Sequence, residues 1–163
     1  MFNQTEYQDF LKGKIKRSKQ HGFDVQDADL HPSLYPHQRD AVKWAVKGGR
    51  RLLALSFGLG KTRIQIEACR QIINREGGKA LIVCPLGVRQ EFTQKDGPAM
   101  GVDIRYCRNM DEVKSAGTDF IITNYERVRD GHIQPAEFTV ITLDESSVLR
   151  SYGTHTTQNF MDL

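Results

Sequence analysis

The sequence predicts an α/β fold, a mainly parallel sheet with helices on both faces, and three observations carry that expectation. Five short apolar runs, at residues 52–55, 81–84, 102–106, 120–122 and 138–143, alternate with segments that read as helices or turns. Runs spaced in this way form parallel strands joined by crossovers. The first run breaks into Gly58, Gly60, Lys61 and Thr62 before the most strongly helical stretch begins. The last run ends in two adjacent carboxylates, Asp144 and Glu145.

The elements follow in order. Residues 4–20 place Tyr7, Phe10, Leu11 and Ile15 at helical spacing among lysines and arginines, which predicts an amphipathic helix. Gly22 and the acidic stretch at 24–29 then make a linker, so residues 1–30 are taken as a helix and linker ahead of one domain at 31–163. A second helix is expected over 34–47, with Pro36 suited to its first turn and Gly48 and Gly49 ending it. The helix at 63–75 follows the glycine loop, with Ile64, Ile66, Ala68, Ile72 and Ile73 apolar and Gly77 and Gly78 closing it.

Composition narrows the functional classes. The chain has 163 residues, 39% hydrophobic and 26% charged, enough for one domain with a core. Its net charge of +3 permits a nucleic-acid partner without demanding one. Cys69, Cys84 and Cys107 are scattered among apolar neighbours, without the spacing of a zinc site or a disulfide framework, and read as reduced core residues of an intracellular protein. No apolar run has the length of a membrane span, and the N-terminus lacks the basic-then-apolar order of a signal peptide. A cytoplasmic location and no membrane partner are therefore expected. His37 and His132 have no partners at metal-ligand spacing, and Trp44 and Phe92 read as core residues.

The stretch LLALSFGLGKTRIQIEA, residues 52–68, has the parts that a phosphate-binding loop needs. A strand fixes one end, Gly58 and Gly60 let backbone N–H groups approach an anion, Lys61 supplies charge, and the next helix points its N-terminus at the phosphates. Thr62 opens that helix with a hydroxyl suited to Mg²⁺. The competing interpretation is a glycine turn with an incidental Gly-Lys-Thr. The full loop pattern would also put a glycine where Leu55 stands. Asp144 and Glu145 complete the set: a strand end delivers one carboxylate to hold Mg²⁺ and a second to activate water. Taken alone, that pair equally suits an acidic helix cap.

Further stretches then resemble one family. With the loop and the carboxylates, LYPHQRDAVKWA (residues 34–45), LIVCPLGVRQEF (81–92) and IITNYERV (121–128) are similar, in order, to motifs of the first RecA-like lobe of superfamily-two helicases and translocases. Within it the sequence most resembles the Snf-type branch of DNA translocases and its phage and prophage relatives. In that branch the loop lacks the distal glycine, which accounts for Leu55. The resemblance implies a P-loop NTPase lobe that takes ATP and Mg²⁺. It implies Gln38 at the adenine, with Tyr35 and His37 as flanking candidates, Lys61 with Gly58, Gly60 and Thr62 at the phosphates, and Thr62 with Asp144 at the metal. Lys61, Asp144 and Glu145 carry catalysis in this reading. Pro85, Leu86, Thr123, Asn124 and Tyr125 are implied along the nucleic acid. Judged without the family, Thr123 and Asn124 fit turn capping as well as backbone contact. The carboxylate motif reads Asp-Glu-Ser-Ser, with Ser147 where the family usually has histidine or aspartate.

The implied partners are double-stranded DNA, bound without sequence preference, and a second RecA-like lobe in cis or trans that carries arginine fingers. The implied setting is a bacterial or phage-infected cell. In the family, the lobe continues past the carboxylates with a helix and a further strand, so this chain is expected to be an N-terminal piece of a longer motor. It is expected to bind Mg-ATP and turn it over slowly, because an arginine finger is worth roughly 10³ to 10⁵ in rate. A non-motor ATP-binding module that presents a surface to a protein partner is the alternative from another class. The basic run Lys12, Lys14, Lys16, Arg17 and Lys19 fits a solvated helix face better than a contact.

Overall fold

The computed structural model describes residues 20–56 and 58–146. The expected helix at 4–20 falls outside them but for its last residue, as do Ser147 and the C-terminal stretch after it. The described residues form a four-stranded parallel sheet flanked by helices. In chain order the strands are β1 (Ala80–Val83), β2 (Ile104–Tyr106), β3 (Phe120–Thr123) and β4 (Val140–Leu143). Their order across the sheet is β2-β3-β1-β4, and every pairing is parallel.

The central strand explains the layering. Ala80 to Val83 are all fully buried, as a strand covered on both faces must be. Because successive side chains alternate, Ala80 and Ile82 enter one apolar cluster and Leu81 and Val83 another. The first cluster lies under α1 (Pro36–Gly48) and α2 (Lys61–Glu76), and the second under α3 (Met110–Lys114) and α4 (Tyr125–Arg129). Between β1 and β2 the chain makes a π-helix, Glu91–Asp96, whose Phe92 is fully buried, and a short helical turn at Gly97–Ala99 follows it.

Local chemistry accounts for the helix ends. Pro36 opens α1, and the Gln38 side chain returns to the Tyr35 backbone N–H at 3.0 Å in a capping box. Gly49 closes α1 at φ 75°, a left-handed conformation that glycine adopts without a Cβ clash. The stretch expected as a loose acidic linker is packed: Val25 and Leu30 are buried in the core.

Two expectations are corrected. Residues 52–55 form no strand; from Arg51 to Ser56 they alternate between half-buried and exposed, with Leu52 76% exposed. An apolar run is compatible with a strand, but a strand also needs a hydrogen-bonded neighbour, and among the described residues none lies alongside. Trp44 is not a core residue either. It is 49% exposed, and the Arg51 guanidinium lies 5.2 Å from its ring centre, so the indole keeps a cation partner rather than an apolar one.

Candidate functional site

Register builds the site. Val83 is opposite both Thr123 and Leu143, so β1, β3 and β4 end level with one another. The residues that follow them, Cys84–Pro85, Asn124 and Asp144–Glu145, therefore share one edge of the sheet, the carboxyl edge where ligands bind in open α/β folds.

The glycine loop meets that edge. Gly58 and Gly60 have φ of 81° and 73°, and Gly60 directly precedes the helix that Lys61 begins. The left-handed φ makes this position one for glycine, and a Cβ on Gly60 would push the Gln38 amide from its place. Gln38 is almost fully buried, and its Nε2 donates to the Leu59 carbonyl at 3.2 Å, with His37 Nε2 3.3 Å from the same oxygen. The expected adenine residue thus already clasps the expected phosphate loop. Tyr35 is 64% exposed, its ring stacked on His37 with centroids 6.0 Å apart and planes within 9°.

The carboxylates arrive from the other side. Lys61 Nζ lies 3.4 Å from Glu145 Oε1, although the two residues are 84 positions apart. Asp144 is buried, and three contacts hold it. Gln65 Nε2 donates to its Oδ1 at 2.8 Å, the Tyr125 hydroxyl donates to its carbonyl at 2.7 Å, and its own N–H donates to the Val83 carbonyl at 2.8 Å. Burial raises the Asp144 carboxyl above its ordinary value, opposed by the Gln65 hydrogen bond and reinforced by the neighbouring Glu145 charge. Glu145 has φ of 50°, and among the described residues no other non-glycine residue has a positive φ. Such a conformation costs of order 1–3 kcal/mol and persists where its surroundings over-determine it.

This donor set fits Mg²⁺ held together with a nucleotide. The ion takes hard oxygens and is usually held by one or two carboxylates with phosphates and waters. Thr62 and Asp144, both buried polar residues, supply a hydroxyl and a carboxylate of that kind, and a buried amide oxygen nearby, Gln65 Oε1, has no hydrogen-bond partner among the described residues. Among the described residues no group of three or more His, Cys, Asp or Glu side chains forms a metal cluster.

The residues expected along a nucleic acid divide into two groups. Leu86 is 57% exposed, and Pro85 and Asn124 are half-buried at the same edge. Thr123 and Tyr125 turn inward: the Thr123 hydroxyl donates to the Cys107 carbonyl at 2.8 Å, and the buried Tyr125 supports Asp144. Two residues at this edge escaped the sequence reading. Gln65 interrupts the apolar positions Ile64 and Ile66, which was the available signal. Arg89 lies with its guanidinium 4.5 Å from the Tyr106 ring centre, and nothing in the local sequence pairs them.

No family model matches this chain. Solved structures share its fold. A crystal structure of the UvsW helicase from bacteriophage T4 superposes with a TM-score of 0.63 at 17% identity, covering 99% of this chain and 56% of that one. A second structure, of T4 UvsW, gives a TM-score of 0.65 at 15% identity, covering 99% and 32%. The chain thus spans about half or less of the length of these neighbours. No helix among the described residues is long and apolar enough to cross a membrane. The parallel sheet, its helical layers and these superpositions together make the fold that of a RecA-like α/β lobe, as in these two structures.

Proposed function

We propose that this chain is the ATP-binding first lobe of a superfamily-two nucleic-acid motor, working with a second RecA-like lobe. The observation that carries the reading is the meeting of Lys61 and Glu145, with Asp144 beside them, at the carboxyl edge of a parallel sheet. Lys61 would neutralise phosphate oxygens, Thr62 and Asp144 would hold Mg²⁺, Glu145 would accept the proton of an attacking water, and Gln38 with Tyr35 would take the adenine. Bound Mg-ATP would supply the transferable phosphoryl group. The loop geometry, with Gly58 and Gly60 left-handed, supports backbone approach to an anion.

The exposed Leu86 and the half-buried Pro85 and Asn124 support a nucleic-acid track on the same edge. A strand-end asparagine is a neutral donor that can grip phosphodiester oxygens without reading bases, and the Snf-type resemblance favours double-stranded DNA. The Snf-type motif order and two neighbours from a bacteriophage support a phage or prophage setting. A lobe of this kind would hydrolyse ATP slowly without the partner lobe's arginine.

The test is calorimetric titration of Mg-ATP into the 163-residue chain and into Lys61→Ala. A charge-assisted hydrogen bond is worth about 1.5–3 kcal/mol, so roughly 10- to 100-fold weaker binding is expected in the variant. No saturable binding by the wild type, or equal binding by both, overturns the reading.

A further inference from the structure

Gln65 lies in the second turn of α2, between Ile64 and Ile66, both fully buried. Its side chain turns to the sheet edge and meets Asp144 from a distance of 79 positions in the chain. Chemistry sets the direction of this contact. An ionised carboxylate only accepts hydrogen bonds, so the amide must present Nε2 to Asp144 and turn Oε1 away. That oxygen is buried and has no hydrogen-bond partner among the described residues. An acceptor in that condition costs stability unless some donor answers it.

The rest of Asp144 is already fixed, its N–H by the Val83 carbonyl and its carbonyl by the Tyr125 hydroxyl. Its carboxylate plane is held by Gln65. A ligating carboxylate is oriented by such an outer partner, whose loss typically costs roughly 10- to 100-fold in metal affinity.

We propose that Gln65 is the positioning residue of the Mg²⁺ site: its Nε2 orients the Asp144 carboxylate, and the unanswered Oε1 is the cost of that orientation. This rests on the nucleotide-lobe reading above. Gln65 does not touch the nucleotide in this scheme, so its removal separates metal affinity from nucleotide affinity.

The experiment measures ATP affinity of the full chain in EDTA and across a Mg²⁺ titration, for the wild type, Gln65→Met and the milder Gln65→Ser, whose cavity admits water as a substitute donor. Gln65→Met is expected to keep the EDTA affinity within about twofold while its Mg²⁺ enhancement falls roughly 10- to 100-fold, the range for outer-shell partners. Gln65→Ser is expected to fall between Gln65→Met and wild type. In an Asp144→Asn background, Gln65→Met is expected to have no further effect on the Mg²⁺ response. Full Mg²⁺ enhancement in both variants overturns the proposal. Equal losses in EDTA and in Mg²⁺ also overturn it, because they mark a packing role. If the wild type binds ATP with no Mg²⁺ enhancement, this inference alone fails; if it binds no ATP at all, the nucleotide-lobe reading fails and takes the inference with it.

Discussion

Asp144 shows at the residue scale how a buried carboxylate weighs against stability. Burial is the largest influence on it and raises its pKa, so the folded chain holds this proton more tightly than the unfolded chain does. A group raised in this way loses its stabilising contribution as pH climbs from the ordinary value of 3.8 through the raised one. At neutral pH the buried charge is therefore a net cost to the fold. Without metal or nucleotide, Asp144→Asn is expected to melt at a higher temperature than wild type at pH 7, and the gap to close on acidification to pH 3.8 and below. Thermal scans at both ends of that window check it, and an unchanged gap would show that the carboxylate is solvated. Lys61, Thr62, Asp144 and Glu145 were legible in the sequence because each residue type is unusual where it stands: a cation and a hydroxyl after glycines, acids after an apolar run. The inward turn of Thr123 and Tyr125 was not legible. Their hydrogen-bond partners lie 16 and 19 positions away, and local sequence records no such contacts.

At the scale of elements, α2 does more than present Lys61. Fully buried Glu67 accepts from Arg70 at 2.7 and 2.9 Å, from Gln71 at 2.8 Å and from the His31 backbone at 3.1 Å. Arg70 and Gln71 each also donate to the Asp29 carbonyl at 2.8 Å. This network ties residues 29–31 to α2 and so sets the entry to the Tyr35–Gln38 segment. Burial alone would raise the Glu67 carboxyl, but the Arg70 and Gln71 hydrogen bonds outweigh it and the net direction is down. A lowered carboxyl stabilises the fold above its ordinary value of 4.5, and that contribution is lost as pH falls through the depressed one. Glu67→Ala is expected to cost about 3–5 kcal/mol at pH 7, because it strands buried donors, and progressively less in acid. Urea titrations at pH 7 and below pH 4 measure both, and a cost independent of pH would mean that packing, not charge, is what the variant removes. The two long helices were legible from periodicity and caps, with α1 and α2 ending within a residue or two of the glycines that marked them, whereas the short helices at Met110–Lys114 and Tyr125–Arg129 and the π-helix at Glu91–Asp96 had no such marks. The ribbon at 52–55 was misread because an apolar run was taken for a strand, while strand pairing depends on a neighbour that no local pattern names.

Across the whole molecule, the two apolar clusters back to back on one sheet leave the thiols no access to solvent. Cys69, Cys84 and Cys107 are all free and buried, and burial pushes Cys69 and Cys84 up to about 12. Thiolate, the reactive form, is scarce at such values. The native chain is expected to leave all three thiols unlabelled by a thiol reagent at pH 8 and to release them together on unfolding in denaturant. Rapid labelling of one thiol in the native state would contradict the packing described here. By itself the sequence determined the fold class, the two long helices α1 and α2 with their ends, and the types of residue at the candidate site, because each is written in short-range periodicity or in a local motif. The tertiary structure decided the strand order β2-β3-β1-β4, the level strand ends that bring Asp144 to α2, the Gln38 clasp on Leu59 and the hold of Gln65 on Asp144. Each of these joins residues at least 16 positions apart, and a contact at that range is chosen by packing and hydrogen-bond satisfaction over the whole chain.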